Sequence, residues 1–197
     1  MRLWNRPTRR RSLRAVALAS IACSGMAMLS PWPTAAVQLG DGTTVFTSPP
    51  RLDSFTTLDI HTYERRPTYY VTVNLLPEAE ESLATLTIQL IEGRFTRLNY
   101  RTENIAVFSG TRRDRGAEYP VEMAEYDADT QTLTIHLAEP IEPGQLVTFA
   151  LELSRNPRWE GVYLYEVTAA PAGDMPRSQR VGTGRIQIYQ REFLLFH

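Results

Sequence analysis

Apolar side chains recur at every second position along much of this chain, and that spacing decides most of what it can fold into. Leu133, Ile135 and Leu137 fall on one side of an extended segment while Thr132, Thr134 and His136 fall on the other. Period two marks a strand with one buried face, since a helix needs its apolar positions three and four apart. Val147, Phe149, Leu151 and Leu153 repeat the pattern, as do Leu86, Ile88 and Leu90 against Thr85, Thr87 and Gln89, and Tyr69, Val71 and Val73. Further strands are expected at residues 43–47, 57–62, 104–108, 119–125, 162–167 and 184–189, all rich in β-branched or aromatic residues. Turn chemistry separates them: residues 138–144 carry two prolines and a glycine, Asp127-Ala128-Asp129-Thr130 reads as a hairpin turn, and residues 169–182 read as a long loop between the last two strands. Helical signal is confined to residues 77–84, which open with Pro77 and acids and suffice for two turns. The expected fold is all-β, an antiparallel immunoglobulin-like β-sandwich with at most one short helix.

The amino terminus is of another kind. Six arginines and no acid occur by Arg14, followed by an apolar run of sixteen residues, 15–30, and then Pro31-Trp32-Pro33-Thr34-Ala35-Ala36. Basic, apolar and small-residue regions in that order make an export signal over residues 1–36, with cleavage expected between Ala36 and Val37. The run is shorter than the roughly 18–20 residues that cross a hydrocarbon core, so no transmembrane span is expected once the signal is removed. Thr8-Arg9-Arg10-Arg11-Ser12-Leu13-Arg14 resembles a twin-arginine export motif. Every basic residue other than histidine is Arg, however, so arginine doublets carry little weight and ordinary secretion is the expectation. Cys23 follows Ile21-Ala22 as in a lipoprotein box, but Ser20 stands where Leu is wanted and the apolar run continues past it. The expected address is extracytoplasmic: periplasm, thylakoid lumen or secreted.

Cleavage changes the composition. The single cysteine leaves with the signal, so residues 37–197 must be stabilised by one core without a disulfide. Fifteen arginines then face twenty-two acids, a net of −7, which argues against a nucleic-acid binder. Without internal repeats or a low-complexity linker, 37–197 reads as a single β-rich domain with an apolar C-terminal tail, 191–197. Phe193-Leu194-Leu195-Phe196 in that tail is suited to adding a strand or to packing back on the domain.

Thr68-Tyr69-Tyr70, Leu76-Pro77-Glu78-Ala79-Glu80-Glu81-Ser82-Leu83 and Phe108-Ser109-Gly110-Thr111 follow one another in the first half. Pro143-Gly144, Asn156-Pro157, Gly161-Val162-Tyr163-Leu164-Tyr165, Val167-Thr168-Ala169, Pro171-Ala172-Gly173 and Gly182-Thr183-Gly184-Arg185-Ile186 follow in the second. In this order and spacing the chain resembles the domain-of-unknown-function 2808 family of secreted cyanobacterial proteins, over roughly residues 37–189. The resemblance implies export and one β-rich domain. It implies no activity, substrate or cofactor, and no residue inherits a catalytic role. Tyr165-Glu166 departs from the Phe-Gly common at that place, and the tail runs past the usual end. The glycines and prolines read as scaffold, with Gly182-Thr183-Gly184 marking a bulge or a close backbone approach rather than a phosphate loop.

Catalytic constellations are missing their parts. There is no G-x-S-x-G elbow and no cysteine behind the signal, and His61, His136 and His197 stand apart without metal-ligand spacing, so neither a catalytic residue nor a metal or other cofactor is expected. Glu118, Glu122, Glu125, Asp127 and Asp129 cluster in sequence and leave a carboxylate-pair hydrolase as an alternative, although the hairpin turn accounts for the last two. Binding surfaces are the better home for function. Arg112, Arg113 and Arg115 share a loop bounded by Gly110 and Gly116, suited to carboxylate, sulfate or phosphate. Trp159 lies near Tyr163 and Tyr165, which could stack on sugars or anchor a protein, although their shared strand face also suits core packing. The expectation is an exported, non-catalytic β-sandwich that recognises an envelope polysaccharide or an envelope protein, with a structural role in envelope assembly as a further alternative.

Overall fold

The computed structural model describes residues 42–94 and 97–191. The expected signal peptide, its cleavage site at Ala36 and Val37, and residues 192–197 of the tail lie outside the described residues. Ten strands follow in order: β1 (Arg51–Thr57), β2 (Thr68–Leu75), β3 (Leu83–Glu92), β4 (Ala106–Gly110), β5 (Arg115–Tyr119), β6 (Val121–Asp127), β7 (Thr132–Ile141), β8 (Gln145–Glu152), β9 (Gly161–Pro171) and β10 (Gln179–Ile188). They form two antiparallel five-stranded sheets, β1-β2-β8-β4-β5 and β10-β9-β3-β7-β6. Hairpins β1–β2, β4–β5, β6–β7 and β9–β10 stay within a sheet, and the other connections pass between sheets.

Period two is what the sheets bury. Leu133, Ile135 and Leu137 of β7, Leu86 and Ile88 of β3, Tyr69, Val71 and Val73 of β2, and Val147, Phe149 and Leu151 of β8 all lie in one core between the sheets. Leu90 packs against it, half-buried. Near one end Phe55 stacks on Tyr165 at 4.8 Å, and Tyr69 meets Tyr165 edge-on at 6.2 Å. Such aromatic pairs add about 0.5–1.5 kcal/mol each beyond their burial.

Several boundaries differ from the sequence reading. The loop expected over residues 169–182 is only residues 172–178, because β9 continues to Pro171 and β10 begins at Gln179. Likewise β7 runs on through Pro140, beside a register irregularity in the β3–β7 pairing where a missing amide is tolerated. Residues 119–125 are two strands, not one: Pro120 breaks the ladder between β5 in the first sheet and β6 in the second. The two-turn helix expected at 77–84 is a single 3₁₀ turn, Pro77–Ala79, closed by Glu80 in the left-handed region. In place of a strand at 43–47 there is an isolated bridge, Thr44 with Pro176.

Gly182 and Gly184 are both bulge and close approach. The β9–β10 register shifts between Arg180 and Gly182. A β-carbon on Gly182 would stand 2.7 Å from the Leu52 Cβ, and one on Gly184 would run into the Phe55 ring. Edge strand β1 thereby closes over β10 on that side of the sandwich.

The two ends of the sandwich differ in charge. Residues 58–67, 93–94, 97–105, 128–131 and 153–160 and the exit from β10 gather at one end, with Arg65, Arg66, Arg94, Arg97, Arg101, Arg155, Arg158 and Arg191 against Asp59, Glu64, Glu103, Asp129 and Glu160. At the other end, loops 76–82, 111–114, 142–144 and 172–178 hold Glu78, Glu80, Glu81, Asp114, Glu142 and Asp174 against Arg112, Arg113 and Arg177.

Candidate functional site

The basic end owes its shape to one buried amide. Asn156, 3% exposed, donates through Nδ2 to the carbonyls of Asp59 (2.6 Å) and His61 (2.9 Å) and accepts at Oδ1 from the Tyr69 hydroxyl (2.9 Å). It joins loops 58–67 and 153–160 to the core tyrosines. Backbone bonds continue the seam: the amide of Asn156 donates to Glu64 (2.8 Å), that of Tyr63 to Pro157 (3.3 Å), and Arg65 bridges Arg155. Tyr63 is held with φ at 60°, a region an aromatic residue rarely enters, and this turns its ring outward.

Above that seam is a cleft of about 470 Å3 lined by Thr62, Tyr63, Arg94, Arg158, Trp159, Glu160, Gln190 and Arg191. Trp159 is 49% exposed. The Arg94 guanidinium lies 5.4 Å from the Trp159 ring centroid, and Arg158 Nε donates to the Tyr63 hydroxyl at 3.2 Å. The exit of β10 closes the rim: the Tyr189 amide donates to Ile60 (2.8 Å) and the Thr62 amide to Tyr189 (2.9 Å). Among the described residues Arg65, Arg94, Arg155 and Arg158 form no ion pair, while Arg101 is engaged by Glu152 (2.9 Å) and Glu103 (3.1 Å) and Arg97 by Asp129 (3.6 Å). Hydrogen bonding to its own backbone amide, then to Arg101, holds the Glu103 carboxyl below the usual range.

The residues singled out from sequence separate. Tyr163 and Tyr165 are fully buried, so they are removed from the candidate contact surface; the alternation of β9 turns both rings into the core. Tyr163 nevertheless serves the site, since its hydroxyl donates to the Trp159 carbonyl at 2.8 Å and fixes the backbone there. Trp159 itself is on the surface. Arg112, Arg113 and Arg115 sit at the opposite, acidic end, where the loop folds back on the outer face of the first sheet. Arg112 covers the Tyr70 ring at 5.7 Å and Arg115 the Phe108 ring at 4.5 Å. Two of the three cations are thus engaged with the protein's own aromatics. Sequence reading missed Arg94, Arg158 and Tyr63, which come from separate loops and share no motif.

Asp127 is a turn residue in this structure. It accepts from the Asp129 amide (2.9 Å) and the Thr130 hydroxyl (2.8 Å), and the Asp129 amide above all holds its carboxyl below the ordinary range. His136 Nδ1 lies 3.2 Å from the Thr85 hydroxyl on the outer face of the second sheet. Among the described residues no group of three histidine, cysteine or acidic side chains is placed to hold a metal. No helix among them is long and apolar enough to cross a membrane.

Residues 43–188 match the family described as "Protein of unknown function (DUF2808)". The chain belongs to the DUF2808 family. Its match spans the sandwich from the Thr44 bridge to the end of β10 and includes every loop of the basic end. No curated protein matches this DUF2808 chain. Among solved structures it is similar to a collagen-binding domain from a Staphylococcus aureus adhesin, with 7% identity, 64% of this chain and 88% of that one covered, and a TM-score of 0.36. It is also similar to a 35 kDa C-terminal fragment of the major pilin GBS80 of Streptococcus agalactiae, with 12% identity, 72% of this chain and 56% of that fragment covered, and a TM-score of 0.42. A cohesin module from a Clostridium perfringens family 33 glycoside hydrolase matches with 10% identity, 74% and 100% covered and a TM-score of 0.40. No site residue is carried over from these to the DUF2808 domain.

Proposed function

We propose that this DUF2808 protein is a non-catalytic recognition domain that works outside the cytoplasm and holds an envelope polysaccharide at the basic end of its sandwich. The observation that carries the reading is Trp159, a half-exposed indole in a cleft with Tyr63, Arg94 and Arg158 converging on it. An aromatic face suits the C–H face of a sugar ring, and forked guanidinium donors suit its hydroxyl and acidic substituents. The cleft's volume, about 470 Å3, falls in the range of small-ligand sites. Its walls are built from a pinned seam, so little ordering is required on binding. The extracytoplasmic setting rests on the leader, with its arginines, short apolar run and small residues before Val37.

The test is retardation of the purified chain in gels containing envelope polysaccharide from the source cells. Retardation is expected for the parent protein and its loss for Trp159→Ala, with the variant still melting cooperatively. Equal retardation of parent and variant would place the contact elsewhere, and no retardation of either would remove the polysaccharide reading.

A further inference from the structure

The Trp159 cleft does not stop at Arg158. Tyr63 and Arg158 are walls both of that cleft and of a neighbouring cavity of about 600 Å3, and Ser154 is shared between the neighbour and a third cavity of about 490 Å3 that Arg65 lines. The three adjoin across the loop end. Their cations are not matched by acids: Arg94, Arg158, Arg155 and Arg65 form no ion pair among the described residues. Of the acids close by, Glu152 is engaged by Arg101 at 2.9 Å and Asp59 by the Thr68 amide at 2.9 Å, while Glu160 is a wall of the Trp159 cleft itself, outnumbered there by Arg94, Arg158 and Arg191. A row of unmatched guanidinium groups leading away from an exposed indole suits a chain that repeats its negative charge, more than one neutral sugar.

We infer that this groove binds a linear acidic glycan, one carrying carboxylate or sulfate on successive units. One sugar ring lies against Trp159, and the anionic substituents of the units that follow fall on Arg158, Arg155 and Arg65. The inference rests on the polysaccharide reading above and adds the chemistry and direction of the chain. Single-stranded nucleic acid also combines negative charge with stacking, but it takes aromatic platforms for successive bases. Here the aromatics, Trp159 and Tyr63, lie at one end of the groove, and arginine follows.

The test is calorimetric titration of the purified chain with polygalacturonate, dextran sulfate, neutral dextran and oligothymidylate, followed by galacturonate oligomers of increasing length. At least one acidic polymer is expected to bind about tenfold or more tightly than dextran, as two charge-assisted contacts would give, and to weaken with added salt. Preference for polygalacturonate identifies carboxylate as the anion, and preference for dextran sulfate identifies sulfate ester. Arg155→Gln and Arg65→Gln are expected to abolish the gain from longer oligomers while leaving monomer binding within twofold. Trp159-dependent binding of dextran as tight as that of both acidic polymers would overturn the acidic-chain inference and leave the polysaccharide reading standing. Binding of no glycan would overturn both. Affinity independent of oligomer length, or tighter for oligothymidylate, would also overturn the inference.

Discussion

Arg94 reaches the face of Trp159 because the residue before it, Gly93, has no side chain. A β-carbon on Gly93 would stand 2.5 Å from Cδ1 of the Tyr163 ring, and that ring is fixed by its hydroxyl on the Trp159 carbonyl. Gly93→Ala must push the β3–β4 loop away from the core or distort Tyr163. Overpacking of this kind costs about 1–3 kcal/mol. The expected outcome is a lower denaturation midpoint together with weaker glycan binding, while Arg94→Ala weakens binding at a stability cost of no more than about 0.5–1 kcal/mol, that of its contact with Trp159. Calorimetric titration and urea melts of both variants check this.

Asn156→Ala should unfasten the same end from beneath. It strands the Tyr69 hydroxyl and the carbonyls of Asp59 and His61, all turned toward the buried amide. Buried groups left without partners cost about 1–3 kcal/mol apiece, so a loss of about 2–4 kcal/mol is expected after partial relaxation. Hydrogen exchange is expected to quicken in residues 58–67 and 153–160 and to remain slow in β3 and β7.

Alkali should loosen the core through its tyrosines. Burial raises the hydroxyl pKa values of Tyr69, Tyr100 and Tyr165 above the ordinary tyrosine value. Below about pH 10 these phenols are neutral in both folded and unfolded chains and stability is unaffected. Above it the unfolded chain releases protons that the folded chain retains, so stability falls by up to about 1.4 kcal/mol per pH unit for each buried tyrosine. The Tyr165 hydroxyl lies near Tyr69 without a hydrogen bond of regular geometry. Tyr165→Phe is therefore expected to stay within about 1 kcal/mol of the parent at pH 7 and to make the alkaline slope shallower. Urea melts between pH 8 and 11 measure both.

The arginines of the β4–β5 loop provide the contrast. Arg112 and Arg115 lie over Tyr70 and Phe108, and none of the four lines the Trp159 cleft. Arg112→Ala with Arg115→Ala is expected to cost about 1–2 kcal/mol of stability through lost cation–π contact and to leave glycan affinity unchanged. Thermal melts and titrations on the same double variant separate the two effects.

The sandwich was legible in the sequence because period two is written locally. Leu133, Ile135 and Leu137 declare their face within six residues, and the structure buries all three. Boundaries were not legible where register decides them. Proline at 140 looks like an end from the sequence, yet β7 continues through it beside an irregular pairing that does not need the missing amide, and β9 runs past the expected boundary to stop only at Pro171. Trp159 was visible as a lone aromatic among polar neighbours. Its partners were not, because Tyr63, Arg94 and Arg158 lie on three loops brought together only by antiparallel pairing. Tyr163 and Tyr165 misled as surface candidates because aromatics at alternate positions serve a core and a sugar platform equally well in sequence.

The most direct test of the central claim is a map of amide and indole NMR shifts on adding the acidic glycan to the purified chain, with the Trp159 indole signal identified by Trp159→Phe. The Trp159 indole is expected to shift most, with amides of residues 58–67, 93–94 and 153–160 moving alongside and those of residues 110–116 still. Shifts concentrated in residues 110–116 or on the outer threonine face of the second sheet, with the Trp159 indole unmoved, would contradict it.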